Sequence, residues 1–280
     1  MKPNKFLYSP VSKVDMKELL PGYDFTRRHS HAIIIEPEKG KPILVNSCSK
    51  GYYLQSNIEV IKPFQEALAS QFDTDLKIRI YQNAVFFVDV ILKGNEFKVN
   101  GDIILPRIQL INSYNGKLKF SIRCGFYRQF CSNGMVVPVQ LDGVTTTDFF
   151  IKGRHTESLG AKANVEKLLH IADSFIDAGK KMLSPYKILG TTKVPGGITD
   201  LENTIKEISK KTKFPIKQAS EVLARVNLEL TELNIPLNYW VLYNGFNYQL
   251  NHNDSIKALG HKKEQMDESV LNFMLEICRR

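Results

Sequence analysis

The sequence predicts an α+β protein, an antiparallel β-meander with packed helices followed by a mainly helical C-terminal part. The first observation behind this is a series of strand-like runs at 76–81, 84–92, 96–99, 103–111 and 118–127. They are separated by Gln82-Asn83, Gly94-Asn95, Asn100-Gly101-Asp102 and Asn115-Gly116. Asn beside Gly supplies the positive-φ positions of tight hairpins, so consecutive strands fold back on each other. The second is a change of apolar period after residue 156, from two to three and four. The third is a helix signal just ahead of the meander. There Ser56-Asn57 caps a run whose apolar residues Ile58, Ile61, Phe64, Ala67, Leu68 and Phe72 recur at three and four.

Residues 1–30 hold Pro3, Pro10, Pro21 and Gly22 with weak periodicity and read as an extended arm, with a short helix at 13–20. Strands are expected at 31–36 and 43–46, joined as a hairpin through residues 37–42. In that first hairpin His29 and His31 could share one face of a strand, as metal ligands do, yet no carboxylate or cysteine stands at motif spacing and the pair reads as surface histidines. Within the meander, 84–92 is apolar on both faces apart from Asp89, the pattern of a central strand covered on both sides. A further hairpin is expected at 136–141 and 147–151 around Asp142-Gly143. The expected divisions are therefore the arm at 1–30, a β-rich body at 31–156 and a helical region at 157–280.

In the helical region, 163–183 carries an apolar stripe from Val165 to Met182, and 190–197 is a Gly-rich linker. The linker lacks the Gly-x-x-x-x-Gly-Lys-Ser/Thr order, which excludes a phosphate loop. Thr199-x-x-Glu202 reads as a capping box opening a helix to about 211, and Pro215 starts another. The two have the outline of a helix-turn-helix, without a glycine in the turn. Residues 235–249 gather Trp240 with Tyr239, Tyr243, Phe246 and Tyr248, and a last helix covers 263–279.

The stretch richest in chemistry is 112–135. After the Asn115-Gly116 turn, Leu118, Phe120, Ile122, Cys124 and Phe126 alternate with Lys119, Ser121, Arg123, Gly125 and Tyr127, and Cys131-Ser132-Asn133-Gly134 forms a second turn. Arg128-Gln129-Phe130-Cys131-Ser132-Asn133-Gly134-Met135, Arg154-His155-Thr156, and Trp240-Val241-Leu242-Tyr243-Asn244-Gly245 with His252 resemble a family carried by bacteriophages, plasmids and other mobile elements. The resemblance runs from about residue 51 to near the C-terminus. That family is a domain of unknown function, so the resemblance implies a mobile-element setting and no reaction. Such elements commonly encode single-strand annealing and recombination proteins that pair a curved antiparallel sheet with helices.

The formal charge of +9 is unevenly spread. Residues 1–155 hold 21 Lys and Arg against 14 Asp and Glu, and the remainder 17 against 15. A surplus placed on one half of a chain suits a polyanion. The apolar runs are too short to span a bilayer and the N-terminus lacks a signal-peptide core, so a cytoplasmic protein is expected. In that compartment Cys48, Cys124, Cys131 and Cys278 are expected as free thiols.

These readings converge on a nucleic-acid-binding protein of a phage or mobile element, binding single-stranded DNA in recombination or replication, with no cofactor and no metal. The predicted contacts are Arg79, Arg107, Lys119, Arg123, Tyr127, Arg128 and Arg154, with Tyr81 and Lys98 on neighbouring strands. Cations hold phosphates and rings stack on unpaired bases. Charge reversal at Arg123 and Arg128 is then expected to abolish binding. Homo-oligomerisation stays open. One alternative is an enzyme with Cys131 as nucleophile and His155 as base. Another is a host-interaction protein using the aromatic cluster around Trp240. Zinc at Cys124, Cys131, His155 and His252 lacks ligand spacing, and Asp89, Asp102, Asp142 and Asp148 are too scattered for a two-metal nuclease.

Overall fold

Gln82 and Asn83 both adopt left-handed backbone, with φ of 52° and 54°, and the strand that follows pairs back along the whole length of the strand before it. Amide side chains tolerate this conformation better than β-branched residues, which is why the turn stands between two Val/Ile-rich runs. The same device recurs at Asn100-Gly101, with φ of 50° and 85°. The structure, a computed structural model, describes residues 6–130, 133–135, 140–141, 144–145, 150–153, 161–253, 255–256 and 260–279.

The chain forms an α+β fold. Its strands are β1 (Val11–Asp15), β2 (His31–Ile35), β3 (Ile43–Cys48), β4 (Thr74–Tyr81), β5 (Val85–Leu92), β6 (Phe97–Val99), β7 (Asp102–Ser113), β8 (Phe120–Arg128), β9 (Asn133–Met135), β10 (Gln140–Leu141), β11 (Val144–Thr145) and β12 (Phe150–Gly153). Its α-helices are α1 (Met16–Leu19), α2 (Asn57–Val60), α3 (Lys62–Gln71), α4 (Ala161–Met182), α5 (Ser184–Thr191), α6 (Leu201–Thr212), α7 (Ala219–Leu233), α8 (Tyr239–His252) and α9 (Gly260–Cys278). All the strand pairings given register are antiparallel.

Two compact units divide the chain, each assembled from separate stretches. The first takes Met1–Gly94, Arg107–Cys124 and Thr147–Phe175, and the second Asn95–Pro106, Gly125–Thr146 and Ile176–Arg280. The division falls inside β7 and β8.

In the first unit β1, β2 and β3 form one sheet in that order. Residues 11–15 are thus a strand in full register with β2, Val11 opposite Ile35 and Asp15 opposite His31. The short helix expected at 13–20 therefore starts later, at Met16. Val11 and Val14 favour extended backbone around Lys13, and only Met16–Leu19 turns helical, capped by the Asp15 carboxylate. The second sheet runs β12-β8-β7-β5-β4, with β4 at an edge. Every residue of β5 is buried, as its two apolar faces predict. One face packs beneath α3, where Phe64 stacks on Phe120 with centroids 5.8 Å apart. The Ser56/Glu59 capping box forms. The buried Asn57 N–H donates to the Tyr114 hydroxyl at 2.8 Å, and Asn112 Nδ2 donates to Asn57 Oδ1 at 2.8 Å, which ties the start of α2 to the end of β7.

In the second unit α8 is the central helix. Tyr239 to Asn247 are all buried. Gly245 lets α7 approach α8, since a Cβ there would lie 2.6 Å from Val226 Cγ2. The expected capping box at Thr199 does not form. Gly197–Asp200 is a 3-10 turn instead, and Asn203 Nδ2 donates to Asp200 Oδ1 at 2.7 Å. Ile216–Gln218 is a second 3-10 turn between α6 and α7, and the C-cap of α6 is Lys213, left-handed with φ of 58°.

Candidate nucleic-acid interface

Side chains alternate across a strand, so register alone sorts the first unit's larger sheet into faces. Lys77 pairs with Asp89 and Asp89 with Gln109. Arg79 pairs with Phe87 and Phe87 with Ile111, while Ile91 pairs with Arg107. All of these share one face. The opposite face carries Leu76, Ile78, Phe86, Val88, Val90, Ile108 and Leu110, the apolar side. The single carboxylate that interrupts β5 therefore meets cations from the strands on either side of it.

Asp89, 5% exposed, organises this cluster. Arg79 Nη2 donates to its Oδ2 at 3.0 Å. Arg107 Nη1 and Gln109 Nε2 donate to Oδ1 at 3.2 and 2.7 Å. Arg107 and Gln109 are buried, whereas the Arg79 side chain is 34% exposed. The Arg79 guanidinium also lies 5.6 Å over the Phe87 ring, and Tyr81 sets its edge on Phe87 at 5.6 Å. A planar guanidinium favours this stacked placement, which leaves part of its donor edge towards solvent.

Arg123 on β8 joins the cluster. Burial lowers its pKa to about 10, and the neighbouring Arg107 charge pushes in the same direction. Two guanidiniums, those of Arg79 and Arg107, thus meet at Asp89, with the Arg123 charge close to Arg107. On edge strand β4, Lys77, Arg79 and Tyr81 occupy alternate positions of the same face, with Lys77 and Tyr81 exposed. Lys77 approaches Asp75 at 3.8 Å, both about half exposed, a contact of little energetic weight in water. Next to the row, Lys117 Nζ donates to Gln82 Oε1 at 3.2 Å and holds two hairpin tips side by side.

Of the contacts named from sequence, Arg79 and Arg107 meet at Asp89, Arg123 lies near Arg107, and Lys119 is exposed on the same unit. Two others are corrected. Tyr127 is 7% exposed and Arg128 fully buried, so the alternate residues of β8 do not form a solvated face. Both sides of that strand are covered, a case that alternation cannot distinguish from a half-exposed sheet. Within the second unit Arg128 donates from Nε and Nη2 to Asp102 Oδ2 at 2.9 and 2.7 Å, and from Nη1 to Glu229 Oε2 at 2.7 Å. Trp240 Nε1 donates to the same Asp102 oxygen. Arg225 Nε donates to Glu229 Oε1 at 2.9 Å. Arg128 is committed to this buried network and has no surface to offer. Lys98 is exposed, on β6 of the second unit.

Cys131, Arg154 and His155 lie outside the described residues, as do Asp142 and Asp148. Burial pushes the Cys124 thiol well above its ordinary value, against a nucleophilic role for it. Trp240, Tyr239, Tyr243 and Phe246 are core side chains, which corrects the reading of that cluster as a contact surface. His29 Nδ1 meets Ser47 Oγ at 2.8 Å and His31 Nδ1 meets Ser30 Oγ at 3.0 Å, so each imidazole pairs with a serine. Among the described residues no three His, Cys, Asp or Glu side chains gather as a metal would need, and no helix is long and apolar enough to cross a membrane. Sequence reasoning missed Lys77 and Gln109. The signal for Lys77 was present in its alternation with Arg79 and Tyr81, while Gln109 needed the register.

The family model for a domain of unknown function, DUF932, matches residues 45–185. No curated protein and no solved structure matches the chain. The matched stretch holds Lys77, Arg79, Tyr81, Asp89, Arg107, Gln109 and Arg123, and ends before Trp240 and His252. The chain belongs to the DUF932 family, a domain of unknown function.

Proposed function

We propose that this protein binds single-stranded DNA on the β4 edge of the first unit's larger sheet. The observation that carries the reading is the alternation of Lys77, Arg79 and Tyr81 along one face of an edge strand, backed by Arg107 and Arg123. Alternate side chains on a strand stand about 6.6 Å apart, a spacing suited to successive phosphates of an extended strand. Lys77 and Arg79 meet phosphates, and the exposed Tyr81 ring offers a stacking face worth about 1–3 kcal/mol per base. Arg79 suits this role because Asp89 and Phe87 already hold its guanidinium, which reduces the ordering cost of binding. The charge surplus of residues 1–155 supports the same partner through long-range attraction. Duplex DNA offers no unpaired base to Tyr81, so single strands bind more tightly. A role in the replication or recombination of a mobile element, inside the bacterial cell, draws support from the resemblance of the Arg128–Met135 stretch.

A salt-titrated binding assay with single-stranded DNA, single-stranded RNA and duplex DNA tests this. The expected result is tightest binding to the DNA single strand, with log K falling as log salt rises at about 0.7 per phosphate contacted. Tyr81→Ala is expected to weaken single-strand binding roughly tenfold, from the loss of one stacked base, and to leave duplex binding unchanged. Absence of binding, or binding indifferent to salt, would overturn the reading.

A further inference from the structure

β4 is an edge strand that keeps the chemistry of an interior one. It runs for eight residues without proline or glycine. β5 lies on one side of it, and no strand lies on the other. Which main-chain groups face the open side follows from the ladder. The Lys93 N–H donates to the Asp73 carbonyl at 2.7 Å, which carries the Thr74–Leu92 register one pair further. Bonded and non-bonded pairs alternate in an antiparallel ladder, so Asp73, Asp75, Lys77 and Arg79 turn their N–H and C=O groups to β5. Thr74, Leu76, Ile78 and Ile80 turn theirs outwards. The Leu76 N–H agrees, since it donates at 2.9 Å to Oδ1 of the adjacent Asp75. Among the described residues no main-chain hydrogen bond is made to this edge from elsewhere. Leu76, Ile78 and Ile80 are also only half-buried, whereas every residue of β5 is buried.

An open edge of this length is a template for another strand, and here the sequence complements itself. In an antiparallel pair about a two-fold axis at Leu76, Leu76 faces its own copy and Thr74 faces Ile78. Asp75 then faces Lys77, and Asp73 faces Arg79. Each charged pair occurs twice by symmetry. All four fall at non-hydrogen-bonded positions, where opposed side chains lie closest. Leu76, Thr74 and Ile78 meet through hydrogen-bonded pairs and extend the apolar side. An axis at Asp75 or Lys77 would set that charge against its own copy, and an axis at Ile78 would set Lys77 against Arg79. An axis between two residues would join unlike faces. Lysine on an edge ordinarily repels a second strand, but in this register each Lys77 meets a carboxylate.

We propose that β4 pairs with the β4 of a second copy of this chain about a two-fold axis at Leu76, joining the two sheets into one. On pairing, the Leu76 N–H exchanges its own Asp75 for the Leu76 carbonyl of the second copy, and Asp75 turns to the second copy's Lys77. The dimer does not depend on the single-strand reading. It draws on the same two cations, so a bound strand and a second copy compete for Lys77 and Arg79.

Sedimentation velocity over a range of protein concentrations tests the pairing, and disulfide trapping tests its register. The wild-type chain is expected to form a dimer that dissociates on dilution. Asp73→Lys with Asp75→Lys turns all four opposite-charge pairs into like-charge ones and is expected to raise the dimer dissociation constant at least about tenfold. Leu76→Cys puts two thiols on the axis, where the Cα atoms of a hydrogen-bonded pair stand about 5.5 Å apart, within disulfide reach. Mild oxidation is expected to give a covalent dimer above the wild-type background. Ile78→Cys is expected to give none, because its two copies are offset by about 13 Å along the strands. Thermal melting of each variant shows whether it is folded, and the wild-type measurement needs no variant. A wild-type chain that stays monomeric at every concentration would overturn the proposal. So would a dimer unmoved by Asp73→Lys with Asp75→Lys, or trapping at Ile78→Cys in place of Leu76→Cys.

Discussion

Replacing Arg128 by Met separates the arginine that builds the molecule from those of the proposed binding face. The guanidinium is fully buried and makes three donations, two to Asp102 and one to Glu229, both carboxylates themselves buried. Methionine fills similar volume but leaves both acids without that cation. Asp102 keeps the Trp240 indole N–H, and Glu229 keeps Arg225, so neither is stripped entirely. Breaking a buried ion pair by removing one partner costs about 3–5 kcal/mol. For a chain of this size that corresponds to a melting temperature lower by about 10 °C. Arg79→Met is the control, since its pair with Asp89 is partly exposed and exposed pairs contribute about 0–1 kcal/mol. Thermal melts followed by circular dichroism measure both. A melting temperature for Arg128→Met within about 2 °C of wild type would refute the reasoning. Charge reversal at Arg128, which the sequence suggests as a binding test, would therefore report on folding.

Other outcomes follow from the same structure. Burial raises the Tyr8 and Tyr52 phenols to about 12, so the folded state favours the neutral ring. The stability they contribute is complete below pH 10 and is lost as pH rises through about 12. Tyrosinate absorbance should accordingly show a late phase near pH 12 that shrinks in a Tyr8→Phe, Tyr52→Phe double variant, and an unchanged late phase would contradict this. Gly245→Ala would drive a methyl against Val226 and Val222 and is expected to cost about 1–3 kcal/mol. Val226→Ala in the same chain should return part of that loss in a denaturant melt, whereas additive losses would contradict the close packing.

The strands of the meander were legible almost residue by residue, because Asn and Gly mark the turns and Val, Ile and Phe fill the runs between them. The helices α4 and α9 were legible from their three-and-four spacing. Residues 11–15 were not, since a short strand with Lys13 in its middle carries no turn signal of its own and owes its form to pairing with β2. At the site, Arg79, Arg107 and Arg123 stood out as basic groups among strands. The meeting of Arg79 and Arg107 at Asp89 depends on strand register across β4, β5 and β7, a long-range property that local spacing does not encode. Arg128 failed for the opposite reason. It lies two positions from Phe126 and Phe130 in a run that alternates, but its partners Asp102 and Glu229 are 26 and 101 residues away in sequence. The division of the chain into interleaved units is likewise a product of tertiary contacts.

The most direct measurement is the salt dependence of binding to a deoxythymidine oligonucleotide, compared between the wild-type chain and a Lys77→Ala, Arg79→Ala variant. Two phosphate contacts are removed, so the slope of log K against log salt should fall in magnitude by about 1.4 while the melting temperature changes little. Equal slopes in the two proteins, or a wild-type protein that does not bind the oligonucleotide, would contradict the account.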